Sequence, residues 1–279
     1  MATNERRGFY EVITDAVRDL SEHGFDSVER VAYWQMRIKE AAEKFMGSTN
    51  QMEETLREGL ASVYRQLVER QGALKYHPGV ARFVLEKLQP QLRTELNRRI
   101  MASADLIKLN RQQAIAKTLQ RFSGWASSIP PGGSDNVDKV EEKATIRKAL
   151  KQLPFEERRV LIDQGHKLTA SINETIARDG GAIAIKWRSN WRQLNYNYRE
   201  DHKERDGHIY LLRDSWAKKA GLVKPDENGY YDQITAVGEE PFCRCFGVYI
   251  YNLGGLPAEM LTIKGKEELE RVRAAMKAL

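Results

Sequence analysis

Cysteine is nearly missing from this chain: its 279 residues hold only Cys243 and Cys245. Two thiols one residue apart cannot build a disulfide framework, and a bridge between them would close a small, strained ring. Reduced thiols in a cytosolic compartment are the natural reading. Long apolar runs are missing too. No window approaches the roughly 20 apolar residues that span a bilayer, and no secretory hydrophobic segment follows Met1. No membrane partner is expected, and the chain is expected to be kept inside a cell or inside something assembled there. Also absent are a Gly-rich phosphate loop, a Gly-x-Ser-x-Gly elbow and a His-Glu-x-x-His pair. Without a strong catalytic signature, the chain is not read as an enzyme, and neither a small-molecule substrate nor a cofactor is expected. No internal repeat is visible, and no strand-like alternation precedes residue 180.

What is present is ordinary for a globular protein. Charged residues make up 30% and aromatics 9%, the net charge is +6, and the isoelectric point is about 9.2. The chain is long enough to bury a core without staples, and too apolar for general disorder. A mildly basic balance is compatible with nucleic acid or an acidic protein surface, but acids and bases are mixed along most of the chain.

Helical periodicity dominates the first half. Phe9, Val12, Ile13, Ala16, Val17 and Leu20 form one stripe, ended by Gly24. Asp26-Ser27 offers an N-cap for a second helix over about 28–46, and a third is predicted over about 51–71. A fourth starts at Val80, where Pro90 either opens a new helix or kinks a long one. Residues 1–122 are read as a helical domain. Residues 123–136, rich in Pro, Gly and Ser, are read as a linker or loop, with Trp125 pinning it to a domain or a partner. Helix resumes at 139–153, stops before Pro154, and restarts with that proline in its first turn. After Gly180-Gly181 the period changes. Residues 182–187, 194–198, 208–212 and 242–251 read as strands, with a helix over 182–192 as the alternative for the first. A final helix closes the chain. The fold class is therefore α+β: an N-terminal helical domain, a small mixed α/β module with a short antiparallel sheet over 137–251, and a C-terminal helical tail over 252–279.

One basic run stands out: Arg93, Arg98, Arg99, Lys108, Arg111, Lys117 and Arg121, with few acids between them. A solvated helix face is the default. The sharper reading is a surface that meets DNA or an acidic partner.

The densest chemistry lies between Tyr198 and Tyr251. If 242–251 is one strand, both thiols point to one side, and Arg244 points to the other among Phe242, Phe246, Val248 and Ile250. An arginine buried there needs a carboxylate, for which Asp201, Asp206 and Asp214 are candidates. Three readings compete for the thiols. They can bind zinc with His202 or His208, although the spacing is not the familiar knuckle. They can be a nucleophile or redox pair, although no base sits at a fixed offset. They can simply fill a core beside Tyr249 and Tyr251, which is the default. Asp201, His202 and Asp206-Gly207 can likewise be a fragment of a metal-dependent nuclease, or can hold a turn through side-chain to backbone hydrogen bonds.

The order Lys186-Trp187, Arg199, His202-x-x-x-Asp206-Gly207 and Pro241-x-Cys243-Arg244-Cys245 resembles the Mu F-like family of phage minor head, or head morphogenesis, proteins. Residues 180–251 carry the resemblance. Family members often have His before Pro-x-Cys-Arg-Cys, where this chain has Glu240, and many have a Cys-x-x-Cys before the Asp-Gly, which this chain lacks. The resemblance implies a minor structural protein of a tailed-phage head, located in the head interior or at the portal vertex and made in the host cytoplasm. Its implied partners are the portal and/or the major capsid protein, with non-specific contact to packaged DNA. Its implied role is head assembly, DNA packaging or ejection. In this reading Trp187, Arg199, His202, Asp206, Gly207, Pro241, Cys243, Arg244 and Cys245 are architectural. The alternative is a metal-dependent hydrolase, nuclease or toxin-like enzyme using His202, Asp206, Cys243 and Cys245.

Overall fold

A computed structural model describes residues 2–278, with side chains from Gly8 onward. The protein is 66% helical, with a three-stranded antiparallel sheet and a closing helix, the α+β class predicted from periodicity. It divides into two compact units, Met1–Glu58 with Ile100–Leu161, and Gly59–Arg99 with Ile162–Leu279. Both are discontinuous in sequence, because two long helices, α4 (Arg82–Ala126) and α5 (Lys139–Asp179), each contribute to both. The boundary expected at residues 122–137 falls inside the first unit.

The first unit contains α1 (Ala2–His23), α2 (Val28–Met46) and the start of α3 (Thr49–Tyr64). The Ser27 hydroxyl caps α2 by accepting from the Arg30 N–H, as the sequence suggests. The α1 stripe of Phe9, Ile13, Val17 and Leu20 is buried with Ile38, Phe122, Trp125, Ile146 and Leu150. Residues 123–136 are not a free spacer. Residues up to Ala126 finish α4, Trp125 lies in the core, and the loop beyond is fastened to the end of α1. There Ser134 N–H donates to Ser21 O at 2.8 Å and Gly132 N–H to His23 O at 3.0 Å. The approach is so close that a Cβ on Gly24 or Gly133 would strike backbone oxygens of the facing segment.

Pro154 does not end a helix: α5 runs through it, as α4 runs through Pro90. Both prolines are exposed, on the side of a helix where a displaced carbonyl can take a water. Neither helix breaks, because buried residues flank each proline, Leu88 and Leu92 around Pro90 and Leu153 beside Pro154.

The second unit is built on the sheet. β1 (Ala184–Arg188) is central, between β2 (Ile209–Leu211) and β3 (Phe246–Ile250), both antiparallel to it. Alternation sorts its side chains. Ile185, Trp187, Tyr210 and Tyr249 join one core with Cys243 and Cys245, while Ala184 and Leu211 join another with Val223, Leu253 and Met260. Short helices α6 (Glu200–Glu204) and α7 (Trp216–Lys219) fill the connections, and α8 (Ile263–Lys277) closes the chain. Two expected strands differ. Residues 194–198 form a loop, because Leu194 is exposed and Asn195 has a positive φ of 59°. The strand expected over 242–251 starts only at Phe246, because Phe242 adopts a φ of 60° and turns the chain. No helix among the described residues is long and apolar enough to cross a membrane.

His77 is a buried polar hub of this unit. Its Nε2 lies 3.0 Å from Asn173 Oδ1 and its Nδ1 2.6 Å from Tyr251 Oη. A neutral ring protonated on Nε2 satisfies both, donating to the amide oxygen and accepting from the phenol. Burial lowers the His77 pKa from the ordinary 6.5, and the Asn173 bond only partly opposes this. The unfolded chain therefore takes up a proton near pH 6.5 that the folded chain refuses, so stability is lost as pH falls below that value. Thermal melting followed from neutral to mildly acidic pH should show a falling midpoint, and His77→Gln should flatten that slope. An equal slope in the variant would remove His77 as the cause.

Candidate functional site

The residues around the two cysteines come together through backbone clamps. The turn at Asp206-Gly207 docks on β1, with Gly207 N–H donating to Trp187 O at 2.9 Å and Trp187 N–H to His208 O at 2.8 Å. Asp206 accepts from the Ser189 N–H at 3.0 Å and the Trp191 indole at 3.2 Å. Burial pushes its carboxyl up, but these two bonds, with Arg188 and Arg192 nearby, outweigh burial and hold it below the usual carboxylate range. Asp206 therefore holds a turn.

The segment leading into Cys243-Arg244-Cys245 is held from several sides. Arg199 donates to Pro241 O at 3.0 Å and pairs with Glu240 at 2.6 Å. Asn190 donates to Arg244 O at 2.8 Å, Tyr196 Oη accepts from Arg244 N–H at 3.0 Å, and Asp163 accepts from Phe242 N–H at 2.6 Å. This clamping fixes a non-regular segment that a strand would otherwise have ordered.

Both thiols still face one side, although neither lies in a strand. Each sulfur is 3.6 Å from His202 Nδ1. His202, Cys243 and Cys245 are all buried, and Trp187 meets the His202 ring edge-on at 5.2 Å. On the other side of that ring, Nε2 is buried and has no hydrogen-bond partner. Its neighbours there are carboxylates, Glu240 at 3.8 Å and Asp201 at 3.9 Å. Each is anchored by an arginine, Glu240 by Arg199 and Asp201 by Arg205. Cys243 is drawn down to about 5, first by the hydrogen bond from the Cys245 thiol, which burial opposes, then by the backbone N–H groups of Cys245 and Gly238 and by His202. Cys245 is pushed up, by its pairing with Cys243 and by burial.

No family model, curated protein or solved structure matches this chain.

Several expectations need correction. His208 is exposed and outside the thiol group, so only His202 faces the cysteines. Asp206 is not in that group either, and the set His202, Asp206, Cys243 and Cys245 does not form. Arg244 has none of the expected carboxylates. It reaches Gln193 Oε1 at 3.2 Å and lies over the Tyr196 ring at 5.2 Å. Arg244 precedes β3 and is only part-buried, so the guanidinium keeps contact with solvent and needs no buried partner. Sequence reading also missed Ser189, Tyr196 and Asp163, whose roles depend on loop geometry that periodicity does not report.

The basic run is not one surface. In the second unit Arg98 and Arg99 both bind Glu95 at 2.7 Å, and Arg93 lies 3.9 Å from Glu69. In the first unit Lys108 binds Glu53 and Arg111 binds Glu157, each at 2.6 Å. Arg121 donates to Thr145 O at 3.4 Å, and Lys117 is exposed. Positions 108 and 117 are about two and a half turns apart, on opposite sides of α4.

These contacts rank the motif's residues. Asp206→Ala leaves a backbone N–H and an indole N–H without their charged acceptor and should cost about 1–3 kcal/mol. Arg244→Leu removes a solvated contact and should stay within about 1 kcal/mol. Chemical denaturation of both variants checks this, and an Arg244→Leu protein less stable than Asp206→Ala would reverse the assignment.

Proposed function

We propose that this chain is a minor structural protein of a tailed-phage head. It binds the portal or the inner surface of the capsid and acts in head assembly, DNA packaging or ejection. One observation carries the reading. The residues of the Mu F-like resemblance, spread from Trp187 to Cys245, meet at one place and brace it: Arg199 on Pro241 and Glu240, His202 between the thiols, Asp206 on the β1 turn. A motif used for bracing defines a rigid module to be presented to a partner. The competing hydrolase reading needs Asp206 beside the thiols, and Asp206 is engaged with Ser189 and Trp191 instead. The basic side chains of the helical region give DNA a weaker claim than a protein partner, because most of them are paired with nearby carboxylates.

Heads purified from particles assembled by the encoding genome should contain the chain, at low copy relative to the major capsid protein. Mass spectrometry of those heads decides the matter. A chain produced during assembly but absent from both procapsids and mature heads would overturn the reading.

A further inference from the structure

We propose that His202 Nδ1, Cys243 Sγ and Cys245 Sγ form a zinc site. The distances are those of a shared ion. Zinc bonds of about 2.3 Å to sulfur and about 2.0–2.1 Å to nitrogen, set at tetrahedral angles, separate nitrogen from sulfur by about 3.6 Å. Both observed separations are 3.6 Å. A purely hydrogen-bonded trio does not account for this symmetry, because Nδ1 has one lone pair or one proton and can serve one sulfur at a time.

Two independent features point to the same ligand. Metal-bound imidazoles direct their other nitrogen at a carboxylate, backbone carbonyl or water. Here that nitrogen is buried without a partner, facing Glu240 and Asp201, each held by an arginine. A small shift of either would complete the bond. The Trp187 indole N–H, in one core with both cysteines, and the Ser189 hydroxyl are also buried without a hydrogen-bond partner. A neutral thiol is a poor acceptor, whereas a thiolate bound to a metal is negatively charged and suits two such donors.

Thiolate and imidazole donors favour zinc over magnesium or calcium, which take oxygen. Burial of all three ligands shields the ion from bulk solvent. The carboxylates group with the opposite edge of the imidazole and do not complete the set, so the fourth position falls to a water or an incoming ligand.

The test uses the full chain, purified without metal-affinity steps and kept reduced. Elemental analysis should give about one zinc per chain, and removal by chelator should lower the melting temperature. Cobalt loaded in place of zinc should show thiolate charge-transfer absorption and the visible bands of a four-coordinate ion. Cys243→Ser and Cys245→Ser should each lose those thiolate bands in part and bind zinc far more weakly. Glu240→Gln, which leaves all three ligands in place, should retain zinc with about 10–100-fold lower affinity. Folded, reduced wild-type protein that takes up no zinc at micromolar concentrations would overturn the proposal. So would wild-type stoichiometry and cobalt spectra that both cysteine variants leave unchanged.

Discussion

A buried imidazole has to place two nitrogens, and the second unit is arranged around that requirement at His202. One nitrogen is committed to two sulfurs from a segment some 40 residues away, and the other faces two carboxylates. Leaving such a group unsatisfied in the interior costs about 1–3 kcal/mol. The surrounding chain therefore carries more order than its lack of regular structure suggests. Glu240 is fixed by Arg199, Asp201 by Arg205, and Arg205 in turn covers the Trp187 ring at 5.2 Å. The interior packing of Trp187 and the electrostatics of the two carboxylates are parts of one arrangement.

The three residues of the motif, between the turn at Phe242 and the start of β3, give that arrangement its shape. Had Cys243 and Cys245 lain in β3, ladder bonds would have held them, and Arg244 would have faced the same open side as Phe246 and Val248. The positive φ of Phe242 turns the chain instead, and the side chains of Asp163, Asn190 and Tyr196 take over the backbone groups that the ladder leaves free. Such a segment is ordered only when all of its clamps are present. Irregular backbone held by many partners is also how a precise donor geometry is kept on a loop. Gly247 shows how close the packing is: a Cβ there would meet Ile185 of the central strand at 2.3 Å.

Much of the fold was legible in the residues, for reasons that can be named. The α1 stripe, the Ser27 cap and the stop at Gly24 are local signals, and local signals determine helix ends. The change of period after Gly181 marks the sheet because burial on two faces demands β-branched and aromatic residues. Pro154 misled because a proline breaks a helix only when tertiary packing does not hold both sides of it. Residues 123–136 misled because Pro, Gly and Ser describe the local backbone and say nothing of the carbonyls of Ser21 and His23 that fasten it. At the site, the meeting of His202 with both thiols was among the options. The alternation argument reached the right side for the thiols by a route the backbone does not follow, and it assigned Arg244 a burial that its place ahead of β3 does not impose.

The position before Pro241 carries the last step. A histidine at 240 would offer one more nitrogen donor, and Glu240 offers a carboxylate instead. A carboxylate facing Nε2 and paired to Arg199 cannot join the sulfurs, but it can orient the imidazole that does. The module thus keeps three donors of soft or borderline character and gains an anionic brace behind them. If the chain presents this module to a larger assembly, the ion and the brace act on the same loop, and rigidity of that loop is what a binding partner would read.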